Sequence, residues 1–320
     1  MSLFSGKRRR VLALWAGVAV LAGSFALPSR AQSQGQFRIG YQKYGILVLL
    51  KAQGALEKRL APLKIEVKWT EFPAGPVMLE GLNVGSIDLG QVGETPPIFA
   101  QAAGADLVYI GYEPPEPEGE AIIVKSDSAI RTLAGLKGKK VALNKGSNVH
   151  YLLVKQLEKA GLRYSDVEVS FLPPADARAA FERGSVDAWV IWDPFLAAAQ
   201  KQLGARVLAD GKGVVNNTSF YLASRAHAEK NPEVIDIVLD ELSKLDEWAR
   251  NNRKDVAVLL ASYIGLERSI AELSVSHNSY GVKPIDEAVL EQQQQIADTF
   301  LNLKLIPKAV RVRDAALKKR

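Results

Sequence analysis

The chain has 320 residues, 48% of them hydrophobic, and carries 41 basic against 35 acidic residues, a formal net charge of +6. It contains no cysteine, which excludes a disulfide framework, a thiolate metal site and a thiol nucleophile. Five of the basic residues (Lys7, Arg8, Arg9, Arg10, Arg30) fall in the first 31 positions, where no acidic residue occurs; the rest is 36 basic against 35 acidic, with the signs interspersed, and offers no warrant for nucleic-acid binding.

In chain order, the basic run from Lys7 to Arg10 precedes 17 uncharged residues from Val11 to Leu27, then Pro28 and the small-residue pair Ser29 and Ala31 flanking Arg30. This pattern predicts an export signal over residues 1–31, cleaved after Ala31, and so a periplasmic protein. An uncleaved anchor is the alternative reading, at the short edge of what spans a bilayer. The remaining residues are enough for one large or two medium domains.

Short β-rich runs then alternate with longer amphipathic ones. Strands are expected at 37–41, 65–69 and 87–90, and helices at 47–60, 77–84 and 96–103, the last with proline in its first turn. Such β-α-β-α order is the pattern of an α/β domain with a largely parallel sheet. The pattern also repeats. Phe72-Pro73, Gly85-Ser86-Ile87-Asp88 and Gly104-Ala105 correspond to Leu172-Pro173, Gly184-Ser185-Val186-Asp187 and Gly204-Ala205. Upstream, the strand–loop–helix–strand order from Arg38 to Ile65 matches that from Lys140 to Phe171, which predicts two similar lobes. The proline-rich run from Glu113 to Glu120 reads as the first crossover or a rim loop, and Asp210 to Asn217 as the return. The segmentation is therefore 1–31 signal, 32–118 first part of lobe one, 119–216 lobe two, and 217–320 a return strand at 220–223 and helices at 233–250, 254–262 and 285–302. Gln292 to Gln295 read as a solvated helix face.

In open parallel sheets ligands bind where strands end and loops lead into helices. The repeat marks those loops: Gln42-Lys43-Tyr44 and Gly93-Glu94-Thr95 in one lobe, Asn144 to His150 and Trp192-Asp193-Pro194 in the other. Gly146, Ser147 and Asn148 precede an apolar helix, whose free N–H groups and dipole favour a small anion, and Thr95 precedes the helix at Pro96. Each is equally an ordinary helix cap. Gln42 can donate and accept. Glu94 and Asp193, which repel an anion directly, are expected to hold donors in place or to meet another part of the ligand. Trp192 covers a ligand tail or sits in the core, and His150 contacts ligand or caps and packs its helix. The expected ligand-binding set is Gln42, Gly93, Glu94, Thr95, Gly146, Ser147, Asn148, His150, Trp192 and Asp193, with no catalytic residue, metal or cofactor. No zinc-helix, nucleophile-elbow or phosphate-loop motif occurs.

The segments 37–45, 47–51, 93–97, 145–150, 192–194 and 280–282, with Gly93-Glu-Thr-Pro-Pro97 and Lys145-Gly-Ser-Asn-Val-His150 the most specific, make nearly the whole chain after the signal resemble the periplasmic aliphatic-sulfonate-binding proteins of ABC transporters, within the nitrate, sulfonate and taurine group. The resemblance implies a type II, two-lobed Venus flytrap fold of mostly parallel sheets flanked by helices. It also implies a monomer that captures an alkyl sulfonate in the cleft and delivers it to an inner-membrane ABC permease. Taurine, nitrate and pyrimidine or thiamine precursors are the alternative ligands; an enzyme on the same fold and a ligand-sensing domain are the alternatives of other classes. Ile46, where the family often has a small hydroxyl residue, and Ser276-His277-Asn278-Ser279, where it often has basic ones, depart from the pattern.

Overall fold

The computed structural model describes residues 35–317. The expected signal and its cleavage point lie outside them. No helix among the described residues is long and apolar enough to cross a membrane.

The chain first lays down β1 (Gly35–Tyr41), α1 (Gly45–Gln53), α2 (Ala55–Leu60), β2 (Ile65–Glu71), α3 (Gly75–Asn83), β3 (Leu89–Val92), α4 (Pro96–Ala102) and β4 (Leu107–Tyr112). It then crosses to β5 (Glu120–Val124), β6 (Lys140–Leu143), α5 (Asn148–Lys159), β7 (Glu168–Phe171), α6 (Pro174–Arg183), β8 (Ala188–Trp192), α7 (Phe195–Leu203) and β9 (Arg206–Asp210). It returns through β10 (Phe220–Ser224) and ends in α8 (Arg225–Lys230), α9 (Pro232–Asn251), α10 (Arg253–Ile264), α11 (Arg268–His277) and α12 (Glu287–Asn302).

Two five-stranded sheets result, in the orders β2-β1-β3-β10-β4 and β7-β6-β8-β5-β9. The orders are the same once the repeat is overlaid. In each sheet one strand, β10 or β5, runs against its neighbours, and it is the strand that enters directly from a crossover. The sheets are therefore mixed, with the parallel part built by the β-α-β units.

The repeated Gly-Ser-x-Asp has a structural cause. Gly85 and Gly184 take left-handed φ values of 71° and 73° at the ends of α3 and α6, a conformation glycine adopts without a steric penalty. The aspartate then pins the next strand to the first of its unit: Asp88 Oδ2 accepts the Arg38 N–H at 2.8 Å, and Asp187 Oδ2 accepts the Lys140 N–H at 2.8 Å.

Helices cover both faces of the first sheet, with α1, α9 and α10 on one side and α3, α4 and α12 on the other. The second sheet has its own core, to which α5 contributes Val149, Leu152, Leu153 and Leu157, all fully buried on one helical stripe. Each such leucine contributes about 1.5–3 kcal/mol relative to exposure.

Three sequence expectations need correction. The helix expected over 47–60 is two helices, because Gly54 is left-handed (φ 62°) and its N–H bonds back to Leu50 and Lys51. Helix α11 was not anticipated, since its polar and apolar residues alternate too evenly to advertise it. Gln293 does not sit on a solvated face: it is 1% exposed, and its Nε2 donates to the Glu94 carbonyl and the Tyr109 hydroxyl.

The two crossovers lie side by side. The Glu113 N–H donates to the Ser219 carbonyl, the Glu116 N–H to Asn216 and the Gly211 N–H to Pro117, at 2.8–3.0 Å. These paired segments join the sheets at the base of a cleft.

Candidate functional site

Five strand-to-helix loops open onto one small cavity between the sheets. Gln42 and Tyr44 come from the β1–α1 loop, Gly75 from β2–α3, and Gly93 and Pro96 from β3–α4. Across the cleft, Ser147 and Asn148 come from β6–α5, and Trp192 and Asp193 from β8–α7. Parallel βα units place every one of these loops at the carboxyl end of its sheet, so the two ends face each other. The crossovers supply the floor through Glu116, Gly119, Asn217 and Ser219, and Asn278 closes one side.

The helices beginning at this cavity point their positive ends at it. At α5 the N–H groups of Asn148 and Val149 have no partner among the described residues, while the His150 N–H is taken by the Ser147 carbonyl at 2.9 Å. Helix α4 offers less, because Pro96 and Pro97 have no N–H. No lysine or arginine lines the cavity. Toward an anion the wall itself offers the backbone N–H groups at the start of α5 and a free amide hydrogen of Gln42.

Six of the ten expected residues, Gln42, Gly93, Ser147, Asn148, Trp192 and Asp193, line the cavity. Glu94, Thr95, Gly146 and His150 do not. Gln42 Nε2 donates one hydrogen to the Gln91 carbonyl at 3.1 Å and keeps another free. The Ser147 hydroxyl donates to the Asn144 carbonyl at 2.8 Å. Asn148 spends its amide hydrogens on Glu120 (2.5 Å) and Asn217 (2.8 Å), so it ties β5 and the return crossover to α5. The Trp192 ring stands edge-on to Phe195, with 6% of its surface exposed.

Glu94 lies behind the wall. One oxygen accepts the Thr218 N–H at 3.1 Å and the other, buried, has no partner. Burial pushes its carboxyl up to about 7. The Thr95 hydroxyl is also buried without a partner. His150 is fully buried; its Nδ1 accepts the Gly146 N–H at 3.3 Å and its Nε2 meets the Tyr164 hydroxyl at 2.8 Å. Burial pulls its pKa down to about 3, so it is neutral. Its ring packs against Phe99 (6.0 Å) and Phe300 (5.1 Å) of the opposite half, an aromatic seam beside the cavity rather than part of its lining.

Residues the sequence reading missed are mostly polar groups of the floor. Glu116 Oε1 accepts the Ser279 N–H at 2.7 Å, and burial drives its carboxyl up to about 8. Glu120, fully buried, sits well above the carboxylate range, because of burial first and Glu94 second. The Tyr44 hydroxyl bonds Ser219 Oγ at 2.8 Å across the crossover. The carboxylates spaced between prolines from Glu113 to Glu120, and the Asn216-Asn217 pair, were the available signals.

Comparison with known proteins agrees with this geometry. A model of the NMT1-like family matches residues 34–264. The chain is 48% identical over 307 residues to the aliphatic sulfonates-binding protein of Escherichia coli K12, covering 95% of each. Its fold superposes with a TM-score of 0.86 on the alkanesulfonate-binding protein SsuA from Xanthomonas axonopodis pv. citri bound to MOPS, at 44% identity over 89% of this chain and 99% of that one. The desulfurization enzyme DSZB shares the fold at 18% identity and a TM-score of 0.63, over 89% of this chain and 97% of that one. The expected fold and resemblance are thus borne out, and the chain belongs to the NMT1-like family, among whose members its near relatives are aliphatic-sulfonate-binding proteins.

Proposed function

We propose that the chain is the solute-binding component of an ABC importer, capturing an aliphatic sulfonate between its two lobes and delivering it to the permease. The observation that carries this is the cavity where five strand-to-helix loops meet, with unpartnered N–H groups at the start of α5. A sulfonate has no proton to give at physiological pH, so its oxygens only accept hydrogen bonds. A site of backbone N–H groups with the free Gln42 amide hydrogen suits it. The sulfonates for which the E. coli and Xanthomonas relatives are named support the same ligand class.

In this reading residues 32–118 with 217–320 form one lobe, 119–216 form the other, and the crossovers are the hinge. The sulfonate lies between the Gly93 and Ser147 loops, and Trp192 covers its tail. The protein is exported, cleaved after Ala31, and works as a periplasmic monomer that binds without turning over its ligand. Calorimetry against ethanesulfonate, butanesulfonate, taurine, sulfate and nitrate tests the reading. Tightest binding of an unsubstituted alkyl sulfonate is expected, and the recovered sulfonate should be chemically unchanged. Tighter binding of nitrate or taurine, or no binding at all, would overturn it.

A further inference from the structure

An anion site with a carboxylate in its wall needs a positive charge nearby, and no lining residue is lysine or arginine. Asp193 is the difficulty, since it lines the cavity at the start of α7. Both its oxygens are committed. Oδ1 accepts the Ala197 N–H at 3.0 Å, and Oδ2 lies 2.7 Å from His277 Nδ1. His277 is the last residue of α11, where the helix's terminal carbonyls favour a cation, and the next residue, Asn278, lines the cavity. The pair is held from both sides, because Ile270 of α11 packs on Ala197 and Ala198 of α7.

We propose that His277, as an imidazolium, supplies the cation of the ligand site: it fixes and neutralises Asp193, so that a sulfonate is accepted beside that carboxylate. This rests on the sulfonate reading above, and makes His277 a positioning residue acting through Asp193. The surrounding charges favour it. Glu118 and Asp210 act on the imidazole besides Asp193, whereas Glu116, held up to about 8, is uncharged at pH 6; burial pushes the Asp193 carboxyl up as well, and His277 opposes that push. Arg253 of α10 donates to the Val275 carbonyl at the end of α11 and acts on Glu116 rather than on Asp193. The hydrogen bond to Asp193 raises the His277 pKa above its ordinary value. The charge is thus present in full below the ordinary histidine range and lost as pH rises through the raised value. Sulfonate affinity should follow it downward.

The ligand does not titrate in this range, so a pH dependence belongs to the protein. Glu94 and Glu116 also lose protons with rising pH, and the comparison with variants separates them. Calorimetry with ethanesulfonate from pH 5.5 to 9 should give His277→Gln about tenfold weaker binding than wild type at pH 6, from one charge several ångströms away. The two should converge at pH 9. His277→Lys, which keeps its charge, should bind more tightly than wild type at pH 9. The loss from His277→Gln should shrink in an Asp193→Asn background, where there is no carboxylate to neutralise. In wild type, an NMR titration of the His277 imidazole should show its pKa rising when ethanesulfonate is bound, by reciprocity. Wild-type affinity and pH profile in His277→Gln, or an imidazole pKa indifferent to ligand, would overturn this inference while leaving the sulfonate reading intact. Failure of wild type to bind ethanesulfonate at any pH would overturn both.

Discussion

Gly93 and Asn148 meet across the cleft, and a methyl group on Gly93 fits only if Asn148 gives way by a few tenths of an ångström. A Cβ placed on Gly93 falls 3.0 Å from Asn148 Cβ, 3.1 Å from its Cγ and 3.2 Å from its Oδ1. Ordinary carbon contacts are about 3.5–4.0 Å. Gly93 does not have the positive φ that strains an alanine, so the backbone itself tolerates the change. Asn148 cannot easily retreat, because its amide is tied to Glu120 and Asn217. The Gly93 loop belongs to the first sheet and Asn148 to the second, so a small opening of the cleft relieves the overlap. Overpacking of this kind costs about 1–3 kcal/mol. If the ligand is held only when the halves are closed, Gly93→Ala should weaken ethanesulfonate binding by about 5- to 150-fold. Thermal stability of the unliganded protein should stay within about 0.5 kcal/mol of wild type, since the open form escapes the clash. Calorimetry reads the first and thermal denaturation the second. Unchanged affinity would refute closure at this contact as the binding step. An equal loss of unliganded stability would mean that the two halves do not separate.

Glu94, raised to about 7, binds a proton more tightly in the folded protein than in the unfolded chain, where the carboxyl has its ordinary value of 4.5. Its contribution is therefore complete below about pH 4.5 and lost as pH rises through 7, about 3 kcal/mol in all. Denaturant unfolding of Glu94→Gln should show a flatter fall in stability between pH 5 and 8 than wild type; the same slope in both would refute the assignment. Asn148→Ala leaves Glu120 without a partner on either oxygen, since the other one already lacks one. It should lower unliganded stability by about 1–3 kcal/mol. Should the melt stay unchanged while sulfonate affinity falls, the amide serves the ligand and not the carboxyl.

Much of the architecture lies in the local pattern. The alternation of β-rich and amphipathic runs gave the order of elements, and the repeated Gly-Ser-x-Asp marked the two sheets, because a left-handed helix end and an aspartate pinning a neighbouring strand are set by a few adjacent residues. The Gly93 and Ser147 loops were legible for the same reason: a βα unit fixes where its strand ends. Groups that act on other elements were not. Gln293 reads as surface until α12 is laid against Tyr109 and the Glu94 carbonyl. His150 reads as a site residue until its ring is set against Phe99 and Phe300. Glu116 and Asn217 become the cavity floor, and His277 the partner of Asp193, only once two crossovers and a C-terminal helix converge on one place. Sequence determined most of the strands and helices, though not α11 or the break at Gly54, and the strand-end loops, through short-range backbone geometry. Tertiary structure alone decided which carboxyls are desolvated and what answers their charge, because burial and charge pairing depend on distances between segments far apart in the chain.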